Sequence, residues 1–232
     1  MNTYELRNRL KSVRDNIKQA VEKADRNKND IKLIPVSKTH PLDKIEYFYE
    51  KGFKTFGESR VQELRNKNQK IENMDIFWHF IGHLQTNKVK YLLRMKNCTM
   101  IESLDSWRLA REINKRAKKN DRIMSVLVEV NVSGEDSKYG IKPENTLNFI
   151  KKVDKLSHIK IEGLMTLAPY VEDPEKTRPY FQKLAEIKEK VNRSGFNLKE
   201  LSMGMSNDYE IAIEEGATIL RIGTALFGPR EN

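Results

Sequence analysis

Short apolar runs alternate with helical patterns along the chain. Near the start, Leu6, Leu10, Val13, Ile17 and Val21 recur every three or four residues, which predicts an amphipathic helix over residues 3–24. Eight short apolar runs predict strands at residues 31–36, 53–57, 76–81, 98–101, 124–130, 159–165, 198–203 and 219–222. Helical patterns lie between and after them at residues 41–52, 61–70, 87–95, 106–118, 144–156, 174–191 and 208–215.

This alternation predicts parallel strands joined by crossover helices. Eight such units in roughly 200 residues fit the lower end of a (β/α)8 barrel. No linker or change of composition divides the chain, so we expect one barrel domain over residues 1–232, with residues 1–30 adding an N-terminal helix that packs on the barrel. An open, doubly wound sheet is the alternative, although it usually has fewer strands.

The composition narrows the class of protein. With 38% hydrophobic and 33% charged residues, the chain is neither collagen-like nor of low complexity. No apolar run approaches the ~18 residues of a membrane span, and the N-terminus lacks the apolar core of a signal peptide. Cys98 is the single cysteine, so no internal disulfide can form and a reducing cytoplasm is the expected compartment.

The net charge of +10 raises the question of a polyanionic partner. The basic residues are spread among acidic ones, and no stretch interleaves them with aromatic residues as an RNA-stacking surface would. The densest basic run, residues 115–119, ends a predicted helix, where cations suit the helix dipole. A solvated basic surface is therefore favoured over a nucleic-acid site, and a small anionic ligand remains compatible with the charge.

A barrel places its chemistry beyond the carboxyl ends of its strands. Lys38 follows the first strand, and a lysine that loses solvent at a barrel mouth can form a Schiff base, although a solvated rim lysine is the simpler interpretation. The loops after the last two strands, LSMGMSND and RIGTALFG, have the small and hydroxyl residues of a phosphate site. Met165 and Met203 end other predicted strands, and His79 lies near the end of the third. All three are further candidates for contact with a ligand.

Six motifs carry a resemblance to a known family. They are IPVSKTHP, FGESRVQE, WHFIGHLQTNK, NVSGEDSKYGI, GLMTLAP and LSMGMSNDYEIAIEEGATILRIGTALFG. In this order, over residues 34–228, they resemble the pyridoxal-phosphate homeostasis proteins, whose barrel is similar to the N-terminal domain of alanine racemase. The resemblance implies that Lys38 is the Schiff-base lysine for pyridoxal 5′-phosphate. It further implies that Ser206, Gly223 and Thr224 bind the phosphate and that Arg221 lies near the pyridine nitrogen.

Three residues depart from the commonest pattern of that family. Ser59 and Arg60 replace an Asn and a Tyr, and His83 stands where a proline is usual. The Asn often lies near the cofactor, and a serine is shorter. We expect these changes to affect neither Lys38 nor the phosphate loops.

The resemblance implies binding of the cofactor with little turnover. A cationic guanidinium near the pyridine nitrogen disfavours its protonation, and an unprotonated ring is a poorer electron sink. In the alanine racemases that this barrel resembles, a second, β-rich domain supplies one group of the acid–base pair, and we expect this chain to have no such domain. We therefore expect a monomeric protein that carries pyridoxal phosphate or maintains its level, with apoenzymes as candidate recipients. The alternatives are a low-activity amino-acid racemase or lyase on the same site and, third, an RNA-binding barrel.

Several other polar residues have simpler structural interpretations. His79 and His83 are four residues apart, yet no further ligands complete a metal shell, and His79 can equally be a hydrogen-bonded histidine of the barrel. Cys98 is expected to be a buried small hydrophobe. We expect His40 and His158 to be exposed.

Overall fold

The computed structural model describes residues 3–71, 74–135 and 138–229. The strands are β1 (Lys32–Pro35), β2 (Thr55–Glu58), β3 (Phe77–Phe80), β4 (Cys98–Leu104), β5 (Met124–Glu129), β6 (Ile159–Met165), β7 (Glu200–Ser202) and β8 (Ile219–Ile222). The helices are α1 (Thr3–Lys23), α2 (Leu42–Glu50), α3 (Val61–Lys70), α4 (Val89–Arg94), α5 (Trp107–Lys119), α6 (Thr146–Val153), α7 (Arg178–Arg193), α8 (Tyr209–Glu214) and α9 (Thr224–Phe227). Within these ranges, every helix is too short or too polar to cross a membrane.

The strands form a closed parallel barrel. Their order is β1-β8-β7-β6-β5-β4-β3-β2, and each neighbouring pair is parallel. A parallel bridge between Val36 and Gly57, with the Ser37 N–H donating to the Gly57 carbonyl at 3.0 Å, joins β1 to β2 and closes the sheet. The predicted (β/α)8 barrel is confirmed, and the open doubly wound sheet is excluded.

Two layers of apolar side chains hold the barrel together. The larger core lies between the strands and the surrounding helices and includes Phe48, Trp78 and Phe181, all fully buried. A second, separate cluster takes one residue from each of five strands: Ile34, Met100, Leu127, Met165 and Ile219. Because side chains alternate across a strand, this cluster fills the inside of the barrel. The interior is therefore a packed core, and a ligand has to bind above it.

Helix α1 packs on the outside of the barrel against α8 and α9. Its apolar stripe is buried, and the Asn16 amide donates to the Tyr209 hydroxyl and to Glu210, each at 3.0 Å. Lys23 pairs with Glu214 at 2.6 Å. The helix predicted over residues 3–24 is thus observed. It packs on the two helices that follow the loops after β7 and β8. The limits of the predicted single domain, residues 1–2 and 230–232, lie outside the described residues.

The prediction that His40 is exposed is wrong. The His40 N–H donates to the Ser37 carbonyl at 3.0 Å in a tight turn after β1, and this turn directs the ring inward. The ring stacks on Phe227 with 4.9 Å between centroids and is 5% exposed. Phe227 belongs to α9, a helix of four residues. Because so short a helix leaves no periodic pattern in the sequence, its contact with His40 was not predicted. His158 is half-buried.

Candidate functional site

A cavity of about 620 Å³ opens at the carboxyl ends of the strands. Five predicted site residues line it: Lys38, Ser206, Arg221, Gly223 and Thr224. Its volume lies within the range of roughly 300–1,000 Å³ that is usual for small-molecule sites. The structure therefore brings together, from both ends of the chain, the residues that the sequence placed at one barrel mouth.

The backbone around Lys38 has a defined conformation. Lys38 lies within the turn from Ser37 to His40 that follows β1, and Thr39 adopts a left-handed conformation with φ of 65°. Such a conformation is unusual for a β-branched residue and requires support. The Thr39 N–H donates to the Glu63 carboxylate on α3 at 2.6 Å, which supplies that support. Lys38 thus lines the cavity from a loop that is anchored beside it.

The loops after β7 and β8 lie side by side and form one wall of the cavity. The Ser206 hydroxyl accepts a hydrogen bond from the Ala225 N–H at 3.0 Å, which ties the two loops together and leaves the hydroxyl proton for another acceptor. Gly204 has φ of +90°, and a Cβ on it would lie 2.6 Å from the Ala212 Cβ, so this turn requires glycine. With Gly223 and Thr224, the wall presents hydroxyl and backbone N–H donors suited to a phosphate.

Arg221 lies at the base of the cavity and is 3% exposed. One terminal nitrogen donates to the Thr166 carbonyl at 2.8 Å, and the other donates to the Ser202 hydroxyl and lies 3.9 Å from the Glu102 carboxylate. Burial lowers the pKa of the guanidinium, and the negative charges of Glu102 and Asp208 oppose this effect. Since arginine stays protonated in proteins, a fixed positive charge lies beneath the cavity.

Glu102 links Arg221 to His79 through the inside of the barrel. Its carboxylate lies 2.6 Å from His79 Nδ1 and accepts a 2.5 Å hydrogen bond from the Ser202 hydroxyl. Burial alone would raise the pKa of Glu102, but the hydrogen bond and charge of His79, with the charge of Arg221, outweigh it and lower that pKa. A buried carboxylate therefore compensates the buried guanidinium.

Three predicted site residues do not line the cavity. His79 is buried and bonded to Glu102, as a histidine of the barrel interior would be. Met165 belongs to the apolar cluster inside the barrel, and Met203 belongs to the larger core. The structure does not bring these three side chains to the cavity wall with the other five.

Sequence reasoning missed Glu129, which lines the cavity from the end of β5. Burial raises the pKa of its carboxyl to about 7, with a further contribution from the charge of Asp105, while Arg221 acts in the opposite direction. Among the described residues, no hydrogen bond to this carboxylate is seen, in contrast to Glu58 and Glu102. A signal was present, since a charge within the apolar run MSVLVEV is unusual for a buried strand.

Two of the three residues that depart from the family pattern line the cavity, namely Ser59 and His83, whereas Arg60 does not. His83 stacks on Tyr139 with 3.6 Å between ring centroids, and its Nδ1 lies 3.0 Å from Asp105. A proline in place of His83 could make neither contact. The rim of this chain is therefore built from a histidine–tyrosine stack between the loops after β3 and β5.

Over residues 3–71, 74–135 and 138–229, no cluster of three potential metal ligands is found. Cys98 is fully buried, and burial raises the pKa of its thiol to about 12. The prediction that Cys98 is a buried small residue is confirmed. The site thus combines an amine, a buried guanidinium, a carboxyl and a set of phosphate-type donors.

Comparison with known proteins identifies the class. The sequence profile of the alanine racemase N-terminal domain matches residues 9–231. The fold is also that of alanine racemase from Clostridium difficile, with a TM-score of 0.77 at 19% identity, over 98% of this chain and 60% of that one. The protein is a barrel of the alanine racemase N-terminal domain class.

Closer relatives define the family within this class. The chain is 50% identical to the pyridoxal phosphate homeostasis protein of Aquifex aeolicus, covering 96% of this chain and 97% of that protein. It is 38% identical to the human protein of the same name, covering 96% and 86%. PipY of Synechococcus elongatus, solved with PLP bound, has a TM-score of 0.83 at 31% identity, covering 96% and 100%. The chain belongs to the family of pyridoxal phosphate homeostasis proteins, as its motifs predicted.

Proposed function

We propose that this protein holds pyridoxal 5′-phosphate as a Schiff base on Lys38 and serves in the homeostasis of that cofactor. The observation that carries the proposal is the convergence of Lys38, Arg221 and the Ser206–Thr224 wall on one cavity. The PLP-bound structure of PipY, which shares this fold, supports the choice of ligand.

The residues of the cavity fit the chemistry of this cofactor. The Ser206 and Thr224 hydroxyls, with the backbone at Gly223, would bind the phosphate. Hydrogen bonds to such a charged acceptor are stronger than those between neutral groups. The Lys38 nitrogen would form a double bond to the aldehyde carbon, and the aldehyde oxygen would leave as water with two protons from the amine. Arg221 would lie near the pyridine nitrogen.

The buried charge of Arg221 favours binding over turnover. A guanidinium opposes protonation of a nearby ring nitrogen, and the neutral ring is a weaker electron sink for carbanion chemistry. Glu102 and Thr166 hold the guanidinium in place, so its movement would break the hydrogen bond to the Thr166 carbonyl and take a positive charge away from the buried Glu102 carboxylate. We therefore propose that efficient catalysis is not the main activity.

One observation favours a second candidate function, a slow amino-acid racemase. Glu129 lines the cavity with a pKa raised by burial to about 7, and such a carboxyl can accept or donate a proton near neutral pH. Exchange of the α-proton of amino acids in deuterium oxide, followed by NMR, tests this candidate. Exchange near the ~10 s⁻¹ median turnover of enzymes would support the racemase, and exchange far below it would support the carrier.

A titration with pyridoxal phosphate tests the proposed function directly. The wild type should acquire the visible absorption band of a Schiff base, whereas Lys38→Ala should bind the phosphate compound without that band. As a matched control, Lys32→Ala removes an exposed lysine at the start of β1 and should leave the spectrum unchanged. A Lys38→Ala spectrum equal to that of the wild type would refute the role of Lys38.

Apoenzymes that need the cofactor are proposed as its recipients, and the cytoplasm as the compartment. Tyr139, Leu167 and Tyr170 are exposed at the cavity and give its rim apolar surface for a transient partner. Faster activation of a pyridoxal-phosphate-dependent apoenzyme by the loaded protein than by the free cofactor released from it would support direct transfer. Light scattering tests the proposed monomeric state.

A further inference from the structure

A buried lysine of α3 is bonded to the loop that carries Lys38. The Lys67 ammonium donates to the Ser37 carbonyl at 2.6 Å, to Glu58 at 2.8 Å and to Glu63 at 2.8 Å. These three acceptors satisfy the three N–H groups of an ammonium. The side chain of Lys67 is only 8% exposed, so the site is largely out of contact with solvent.

The acceptors of Lys67 are themselves bonded to the residues on either side of Lys38. Glu58 accepts from the Ser37 hydroxyl at 3.1 Å, and Glu63 accepts from the Thr39 N–H at 2.6 Å. The Lys67 ammonium therefore holds the backbone before Lys38 directly, through the Ser37 carbonyl. It holds the backbone after Lys38 indirectly, through the Glu63 carboxylate. The left-handed conformation of Thr39, with φ of 65°, depends on the second contact.

Stability alone does not account for this arrangement. A buried ion pair is often replaceable by apolar side chains of similar volume without loss of stability, because the cost of desolvating the charges offsets their attraction. Fully satisfied buried polar networks do fix one conformation of the segments they join. Here the joined segments are the closing turn of the barrel, the end of β2 and the start of α3. Each of the bonds from Lys67 ends on the Lys38 loop or on a residue that holds it.

We propose that Lys67 is a positioning residue for Lys38, holding the backbone on both sides of it so that its amine is presented to the cavity where an aldehyde carbon has to react. This inference rests on the proposed function and adds a residue that does not itself line the Lys38 cavity. Loss of Lys67 should leave the phosphate wall intact, because that wall is built by the loops after β7 and β8.

The test separates condensation with Lys38 from simple binding. Lys67→Met keeps the length of the side chain and removes its charge, and Glu63→Gln weakens the contact to Thr39. Lys70→Met is the matched control, because Lys70 is exposed on the same helix and makes no hydrogen bond to the loop in the described structure. For each variant, stopped-flow absorbance gives the rate of Schiff-base formation with pyridoxal phosphate. Calorimetry gives the affinity for pyridoxine phosphate, an alcohol that cannot condense.

We expect condensation to be about 10- to 100-fold slower in Lys67→Met, with Glu63→Gln slowed in the same direction and Lys70→Met unchanged. The affinity for pyridoxine phosphate should remain that of the wild type in all three. Condensation at the wild-type rate in Lys67→Met, or an equal loss of condensation and pyridoxine phosphate binding, would overturn the proposal. If Lys67→Met does not fold, Glu63→Gln decides by the same two criteria. A wild-type protein that forms no adduct on Lys38 would instead refute the proposed function.

Discussion

Glu129 should make the stability of this protein depend on pH in a way that one substitution removes. The residue is 6% exposed, and burial raises the pKa of its carboxyl from 4.5 to about 7. Between these two values the folded state binds a proton that the unfolded state has already released. The free energy of unfolding therefore falls as the pH rises through this interval.

The size of the effect follows from the shift in pKa. One pKa unit corresponds to about 1.4 kcal/mol, so a rise from 4.5 to about 7 costs the folded state about 3 kcal/mol above pH 7. Glu129→Gln has nearly the same shape and cannot ionise. The variant should match the wild type near pH 4.5 and exceed its stability by about 3 kcal/mol at about pH 8.

Urea unfolding of both proteins at several values between about pH 5 and pH 8 measures this difference. Glu144→Gln is a suitable control, because it makes the same chemical change at an exposed position of the chain. An advantage of Glu129→Gln that is no larger at about pH 8 than at about pH 5 would refute the argument that burial holds this carboxyl near neutrality.

Two further predictions concern the cavity wall and its base. Replacing Ser206 and Thr224 with Ala removes two hydroxyl donors to a charged acceptor, each worth about 1.5–3 kcal/mol. In equilibrium titrations, the double variant should bind pyridoxal phosphate more weakly and unphosphorylated pyridoxal as well as the wild type does. Equal losses for the two ligands would show that this wall binds something other than the phosphate. Arg221→Gln leaves Glu102 buried without its arginine counter-charge and should lower the free energy of unfolding by about 3–5 kcal/mol in urea titrations at neutral pH. Wild-type stability of that variant would contradict the role given to the pair.

The periodicity of the sequence predicted the barrel well, because each strand of a closed parallel sheet is buried on both faces and reads as a short apolar run. Periodicity could not predict α9, because its four residues span only about one turn. The burial of His40 against Phe227, a residue of α9, could therefore not be predicted either.

The candidate site was predicted where strands end in loops and less well inside the strands. Lys38 and the residues of the last two loops reach the cavity because they follow their strands, whereas Arg221 reaches it from within β8. At the very end of a strand, a shift of one residue decides which way a side chain points, and Met165 belongs to the interior cluster for this reason. Lys67 lies three residues after Leu64 and four before Ile71, so it falls on the buried face of α3, but its charge is typical of a surface residue. Only the meeting of α3 with the Lys38 loop reveals that it is buried.

Reduction of the complex with borohydride, followed by peptide mass spectrometry, tests the central claim most directly. Borohydride converts a Schiff base into a stable secondary amine, so the lysine that carries the cofactor keeps it through digestion. We expect a single major adduct, on the peptide that contains Lys38, and its loss in Lys38→Ala. An adduct found only on other lysines would contradict the assignment of Lys38 and, with it, the proposed function of the cavity.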